Sequence, residues 1–203
     1  MRRAGPAARQ DGMTDPVLFA LAVLALLATP GPTNTLLATA GASGGFRRSL
    51  LLVPAEAAGY LLAISLIFTL LGPAVAALPA LGLALRVLVG AYLLHVAWKL
   101  WRAAPGGRAA GLVTPARVFL TTLFNPKALV FALGIVPLGA EGGAFYLAAF
   151  ALLTMMVALG WIGVGALLGR AAHRTGQGAL VPRLGAAAVG AFALMLLAAP
   201  LLR

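Results

Sequence analysis

Val17–Ala42 reads VLFALAVLALLATPGPTNTLLATAGA and contains no charged residue. It is longer than the ~20 apolar residues that cross a hydrocarbon core as a helix. A second stretch, Ala57–Leu85, is also uncharged and long enough. Hydrophobic residues make up 62% of the 203-residue chain and charged ones 9%, against about 45–50% and about 25% in soluble domains. No soluble core hides that much apolar surface. The runs are continuous rather than alternating, so the sequence predicts an all-α integral membrane protein whose backbone polar groups are satisfied within helices.

Turn residues and charges divide the chain into six apolar segments, near 16–40, 49–71, 81–101, 117–138, 145–168 and 183–202. Residues 1–14 form a polar extension ahead of a transmembrane domain over 15–203, and Met13 offers an alternative start after Arg2, Arg3 and Arg9. The polar connection Arg102–Pro115 separates halves 16–101 and 117–202, three spans each. An odd number per half makes related halves enter the membrane from opposite sides, which predicts an inverted repeat of 3+3 helices. Local matches agree with it: Pro79-Ala80-Leu81-Gly82 and Pro182-Arg183-Leu184-Gly185, then Gly90-Ala91-Tyr92 and Gly190-Ala191-Phe192.

The net charge of +11 comes from basic residues in short loops, where they orient helices and meet anionic headgroups. No nucleic-acid partner is expected. Arg47, Arg48, Lys99, Arg102, Arg108, Arg117, Arg170, Arg174 and Arg183 fall in loops one, three and five. That asymmetry puts the odd loops in the cytoplasm and both termini outside. With no cysteine, disulfides, thiolate metal sites and dithiol redox chemistry are excluded.

Two spans carry breaks. Pro30 and Pro32 lack N–H groups and clash with carbonyls four residues back, which frees the oxygens of Leu26 and Ala28, while Gly31 adds backbone freedom. Irregular backbone at membrane depth must be buried in protein or line a cavity. Beyond the break, Pro32 suits the first turn of a new half-helix. The N–H groups of Thr33 and Asn34 there, with the positive dipole end, attract a carboxylate. The second break is Asn125-Pro126-Lys127, where Pro126 frees the Thr122 carbonyl and Lys127 places an ammonium in lipid. Such a charge costs at least ~2.5 kcal/mol, so it needs a partner or a task. Glu56 is the one acid inside a span. It lies roughly 12 Å along its helix from Arg48, and Lys127 roughly 15 Å along its own from Arg117, so the two reach similar depth. Either they form a structural pair or they serve a substrate and proton pathway.

In order, Pro30-Gly31-Pro32, the run Tyr92-Leu93-Leu94-His95-Val96-Ala97-Trp98-Lys99 and Asn125-Pro126-Lys127 resemble the motifs of the LysE/RhtB family of exporters across Pro16–Arg203. The resemblance implies a six-helix bundle in the bacterial inner membrane. It also implies efflux of amino acids or close derivatives in exchange for protons, with the two proline motifs on the pathway and no cofactor or enzymatic activity. Expected site residues are Pro30, Gly31, Pro32, Thr33, Asn34, Glu56, Asn125, Pro126 and Lys127. Two other classes compete with this reading: a metal or inorganic-ion transporter, and a membrane scaffold without transport.

Other features have plainer readings. Gly41-Ala42-Ser43-Gly44 matches a serine-protease tetrapeptide, but Ser43 falls at the membrane surface and His95 is the one histidine inside a span. Trp98 and Trp101 beside Lys99 and Arg102 read as an interfacial belt. Gly165-Ala166-Leu167-Leu168-Gly169 is a small-residue packing surface and a candidate homodimer contact.

Overall fold

The computed structural model describes residues 15–71, 79–102, 113–139, 141–174 and 180–198, and among these every regular element is helical. Helix α1 (Pro16–Ala28) starts on Asp15, whose carboxylate accepts from the N–H groups of Val17 (2.8 Å) and Leu18 (3.0 Å), with proline at the first helical position. It stops at Thr29. Helix α2 (Pro32–Gly44) leaves at a 65° bend, so the two together form one broken apolar span or a re-entrant segment. Gly45, at φ 81°, turns the chain into the short α3 (Phe46–Ser49). Its positive φ is the conformation glycine tolerates best. Helix α4 (Leu52–Leu66) follows and widens into a π turn over Ile67–Leu71.

Helix α5 covers Pro79–Arg102. At its end the Arg102 guanidinium lies 5.0 Å from the Trp98 ring, and both tryptophans are exposed, as an interfacial belt requires. Helix α6 (Pro115–Leu123) is capped by Thr114, and after the Asn125-Pro126 corner α7 (Lys127–Val130) runs into a second π turn, Phe131–Ile135. Helix α8 (Gly143–Arg174) is longer than its expected span, and α9 (Leu180–Ala198) closes the described chain. Among the described residues, Phe46–Leu70 and Gly143–Ala172 are each long and apolar enough to cross a membrane, as is the bent α1–α2 pair if counted as one span.

Helix α8 runs along α1, α2 and α4; α4 packs on α6, and α9 packs on α5 and α2. Small residues set the α2–α8 seam. A Cβ added at Gly165 would collide with the backbone of Ala38, one at Gly169 with that of Ala42, and one at Gly41 with that of Ile162. Gly165 and Gly169, read from sequence as a helix-packing surface and a candidate dimer contact, are therefore used inside the chain.

The apolar interior falls into two clusters. One gathers Leu36, Leu37, Leu52, Val118, Ile162 and Val189; the other gathers Val23, Leu27, Tyr60, Ile64, Phe131 and Phe150. Reading α4 from Leu52 to Ile64 passes from the first cluster to the second, and so does reading the α6–α7 arm from Val118 to Phe131. Between them α2, α4, the α6–α7 arm and α8 contribute buried polar residues: Thr33 and Asn34, Glu56, Thr121, Thr122, Asn125 and Lys127, and Thr154. The bundle is thus two apolar cores with a polar layer between.

Candidate substrate site between two broken helices

The layer is assembled by close backbone approach. Gly59 lies against α6, where an added Cβ would come within 2.8 Å of the Phe119 carbonyl oxygen and 2.9 Å of Thr122 Cβ. That contact sets Glu56 and Tyr60, one helical turn apart on α4, beside the Asn125 corner. The Asn125 amide donates to Thr33 Oγ1 and to Tyr60 Oη, both at 3.2 Å, so one side chain ties α2 to α4. Thr122 Oγ1 donates to Thr33 Oγ1 at 3.2 Å. Asn125 Oδ1 accepts from the Lys127 N–H at 3.1 Å, which fixes the turn that starts α7. Tyr60 in turn stands edge-on to Phe131 and Phe150, the roof of the second core.

At the first break the freed carbonyls are recaptured by side chains. Lys127 Nζ donates to Leu26 O at 3.0 Å and to Thr29 O at 2.6 Å. Asn34 Nδ2 donates back across the bend to Leu27 O at 2.7 Å and Thr29 O at 2.9 Å. The lysine stem crosses Gly31, where a Cβ would sit 3.3 Å from both Cε and Nζ. Gly31 itself has φ −168°, extended backbone open to any residue, so what glycine supplies here is room beside the lysine tip and not the backbone freedom expected from sequence. At the second break the Thr122 carbonyl is not left free either. It accepts from the Asn125 N–H at 3.0 Å, a tightened final turn.

These bonds decide how the two buried charges stand. A charge-assisted hydrogen bond contributes about 1.5–3 kcal/mol. Two of them offset the ~2.5 kcal/mol or more that an ammonium costs at membrane depth, so Lys127 is compensated by the α1 carbonyls at the negative end of that helix dipole. One of its three N–H groups remains for another acceptor. Glu56 is different. It is 2% exposed, and its Oε2 has no hydrogen-bond partner. Lys127 is anchored by hydrogen bonds to the Leu26 and Thr29 carbonyls, and the Glu56 charge acts on it without a hydrogen bond through Oε2.

The start of α2 completes the site. No side chain caps it, and its first intrahelical bond is Thr35 N to Gly31 O at 2.9 Å, which leaves the Thr33 and Asn34 N–H groups in the unpaired first turn. Pro30, Gly31, Pro32, Thr33, Asn34, Asn125, Pro126 and Lys127 thus come together at one joint, with Glu56 in the same layer. Sequence reasoning missed Tyr60, Thr121, Thr122 and Thr154; Thr154 Oγ1 is also buried without a partner. Hydroxyls are common in membrane helices, and only the shared depth of these four marks them. His95 is exposed on α5 and stands 6.1 Å from the Trp98 ring. Ser43 Oγ donates to Thr39 O at 2.6 Å, an ordinary bond to the preceding turn.

The layer carries groups whose chemistry complements both ends of a small zwitterion. An ammonium with a remaining N–H and a bare half-helix N-terminus suit a carboxylate, and a carboxylate with an unpartnered oxygen suits an amine or a proton. The sequence pattern of the LysE type translocator family matches residues 24–203, which span both breaks and all of the polar layer. No curated protein and no solved structure matches the chain.

Proposed function

Since this chain belongs to the LysE type translocator family and is therefore a membrane transport protein, we propose that it exports amino acids or close derivatives by proton-driven alternating access. The observation that carries this reading is the polar layer, where the unpartnered Glu56 Oε2 and the partly used Lys127 ammonium lie at one depth beside an uncapped helix start. Lys127 and the first turn of α2 take the substrate carboxylate. Glu56 takes the substrate ammonium or the coupling proton, and Thr33 and Asn125 hold the two breaks in register. Six spans in an inverted 3+3 arrangement suit this mechanism. Supporting the repeat, Gly90 faces Leu197 on α9 and Gly190 faces Ala97 on α5, so the matched glycines of the two halves look at each other's helix. A homodimer contact through Gly165–Gly169 is not part of this reading, because α2 fills that seam.

The test is substrate-resolved efflux from liposomes that hold the purified protein and a mixture of the twenty common amino acids. An imposed proton gradient is expected to accelerate loss of one amino acid or a small group over protein-free liposomes. Gradient-driven flux of zinc or another inorganic ion, with the amino acids retained, would support the ion-transporter reading instead.

The orientation has its own test in a bacterial inner membrane. Reporters fused after Gly106 and Gly176 are expected to report cytoplasmic and those after Ala77 and Gly142 external, as the basic odd loops require. Of these sites, Gly142 is within the described residues and the other three lie outside them. The opposite pattern overturns the orientation.

A further inference from the structure

A cavity of about 280 Å³ opens at the end of the bundle that carries Arg47 and Arg48, lined among others by Ala40, Ser43, Arg48, Leu52, Val113 and Pro115. Its walls continue into the polar layer. On α4, Leu52 and Glu56 are one turn apart on one face. On α2, Ala40 leads through Leu36 and Leu37 to Thr33, and on α6, Pro115 leads through Val118 to Thr122. Along these helices the cavity floor is roughly 6–10 Å from the layer. The intervening side chains Leu36, Leu37, Leu52 and Val118 are all buried in the first apolar cluster. The same three helices therefore line a cavity, then a plug, then the polar layer.

Among the described lining residues the one charged side chain is basic, Arg48, and residues 44–55 beside it hold Arg47 and Arg48 and no acid. Arg48 is exposed and lines the cavity, with the Ser43 and Ser49 hydroxyls beside it. Its volume is close to the lower end of the ~300–1,000 Å³ typical of small-molecule sites.

We propose that this cavity is a vestibule for small carboxylate-bearing solutes, gathered at Arg48 and held off the polar layer by a plug of Leu37, Leu52 and Val118. The inference rests on the export reading for what happens beyond the plug, but the vestibule and its charge preference are measurable without transport.

Because the chain has no cysteine, a single introduced one reports its own surroundings. Ser43→Cys, in nanodiscs of phosphatidylcholine, is expected to react with an anionic methanethiosulfonate about tenfold faster than with a cationic one of similar size. Arg48→Gln should bring the two rates together. Thr33→Cys should react at least about tenfold more slowly than Ser43→Cys with the same reagent, since the reagent must wait for local opening. Val118→Ala or Leu37→Ala should narrow that gap. Ala40→Cys repeats the first measurement should Ser43→Cys not fold.

Equal rates for the two reagents, or a Thr33→Cys as reactive as Ser43→Cys in the otherwise unaltered chain, would overturn the vestibule and its plug respectively. Loss of Ser43→Cys labelling when phosphatidylglycerol replaces phosphatidylcholine would identify a lipid headgroup as the occupant and overturn the solute assignment. Efflux that fails in liposomes while the labelling pattern holds would count against the export reading and leave the vestibule standing.

Discussion

Lys127→Met and Glu56→Gln, alone and together, are expected to insert at normal abundance yet lower efflux by an order of magnitude or more, a loss of at least about 1.4 kcal/mol in the transport step. The geometry separates folding from function here. Leu26 O keeps the Thr29 hydroxyl at 2.7 Å and Thr29 O keeps the Asn34 amide at 2.9 Å, so neither carbonyl is stranded when the ammonium is removed. Met fills the lysine's volume across Gly31. Gln is nearly isosteric with Glu, and Glu56 Oε2 has no partner to lose. Were the two residues a structural pair alone, the double variant would regain what each single variant loses. Here the ammonium is also anchored by the Leu26 and Thr29 carbonyls, so if substrate or proton uses these charges, neutralising both restores no transport. Wild-type efflux from the neutral double variant, at matched membrane abundance, would refute the functional assignment.

The second large effect is on folding. Gly165→Leu and Gly169→Leu should each remove most of the folded protein, seen as loss of the monodisperse species in detergent and a lowered unfolding temperature. Even one added carbon at either position collides with the α2 backbone at Ala38 or Ala42, and backbone cannot move aside as a side chain can. Overpacking an ordinary core by a few methylenes costs typically ~1–3 kcal/mol. A leucine wedged between two helix backbones has to exceed that or part the helices. Gly160→Ala on the same helix is the control, because nothing lies within 4 Å of its added carbon. If Gly165→Leu is as stable as Gly160→Ala, α2 and α8 do not pack as described.

The architecture was readable where a residue type has one physical consequence. The prolines at 30, 32 and 126 stand where the helical ladder was expected to stop, and it does: α1 ends at Ala28, Pro32 opens α2 and Pro126 precedes α7. Composition and uncharged length required a membrane as solvent, and the family match agrees. What was not readable depends on which groups meet across helices. Sequence gave no means of knowing that the carbonyls freed near Pro30 lie within reach of a lysine 98 residues further on, because depth can be counted along a helix but rotation about its axis cannot. For the same reason Glu56 and Lys127 could be matched in height and still not be bonded through Oε2. Gly31 shows a related limit: its conformation is ordinary, and only the lysine lying over it explains why a side chain would be in the way. Thr154 was invisible because a threonine in an apolar helix usually bonds to its own preceding turn, and this one does not.

The bend between α1 and α2 has a mechanical side. A chain interrupted by Pro-Gly-Pro would be expected to flex there, yet the Asn34 amide reaches back over the corner to two carbonyls of the preceding arm, and the Lys127 ammonium clasps the same arm from α7. The corner is a braced bracket rather than a hinge. Rotation of α2 against α1 would have to break both Asn34 bonds, and withdrawal of α7 from the same arm both Lys127 bonds. The Asn34 bonds thus brace the two arms against each other, and the lysine ties α7 to the first of them. Drawing that ammonium away would release α7 from the first arm, while the Asn125 bonds to Thr33 and Tyr60 would still hold the second break to α2 and α4.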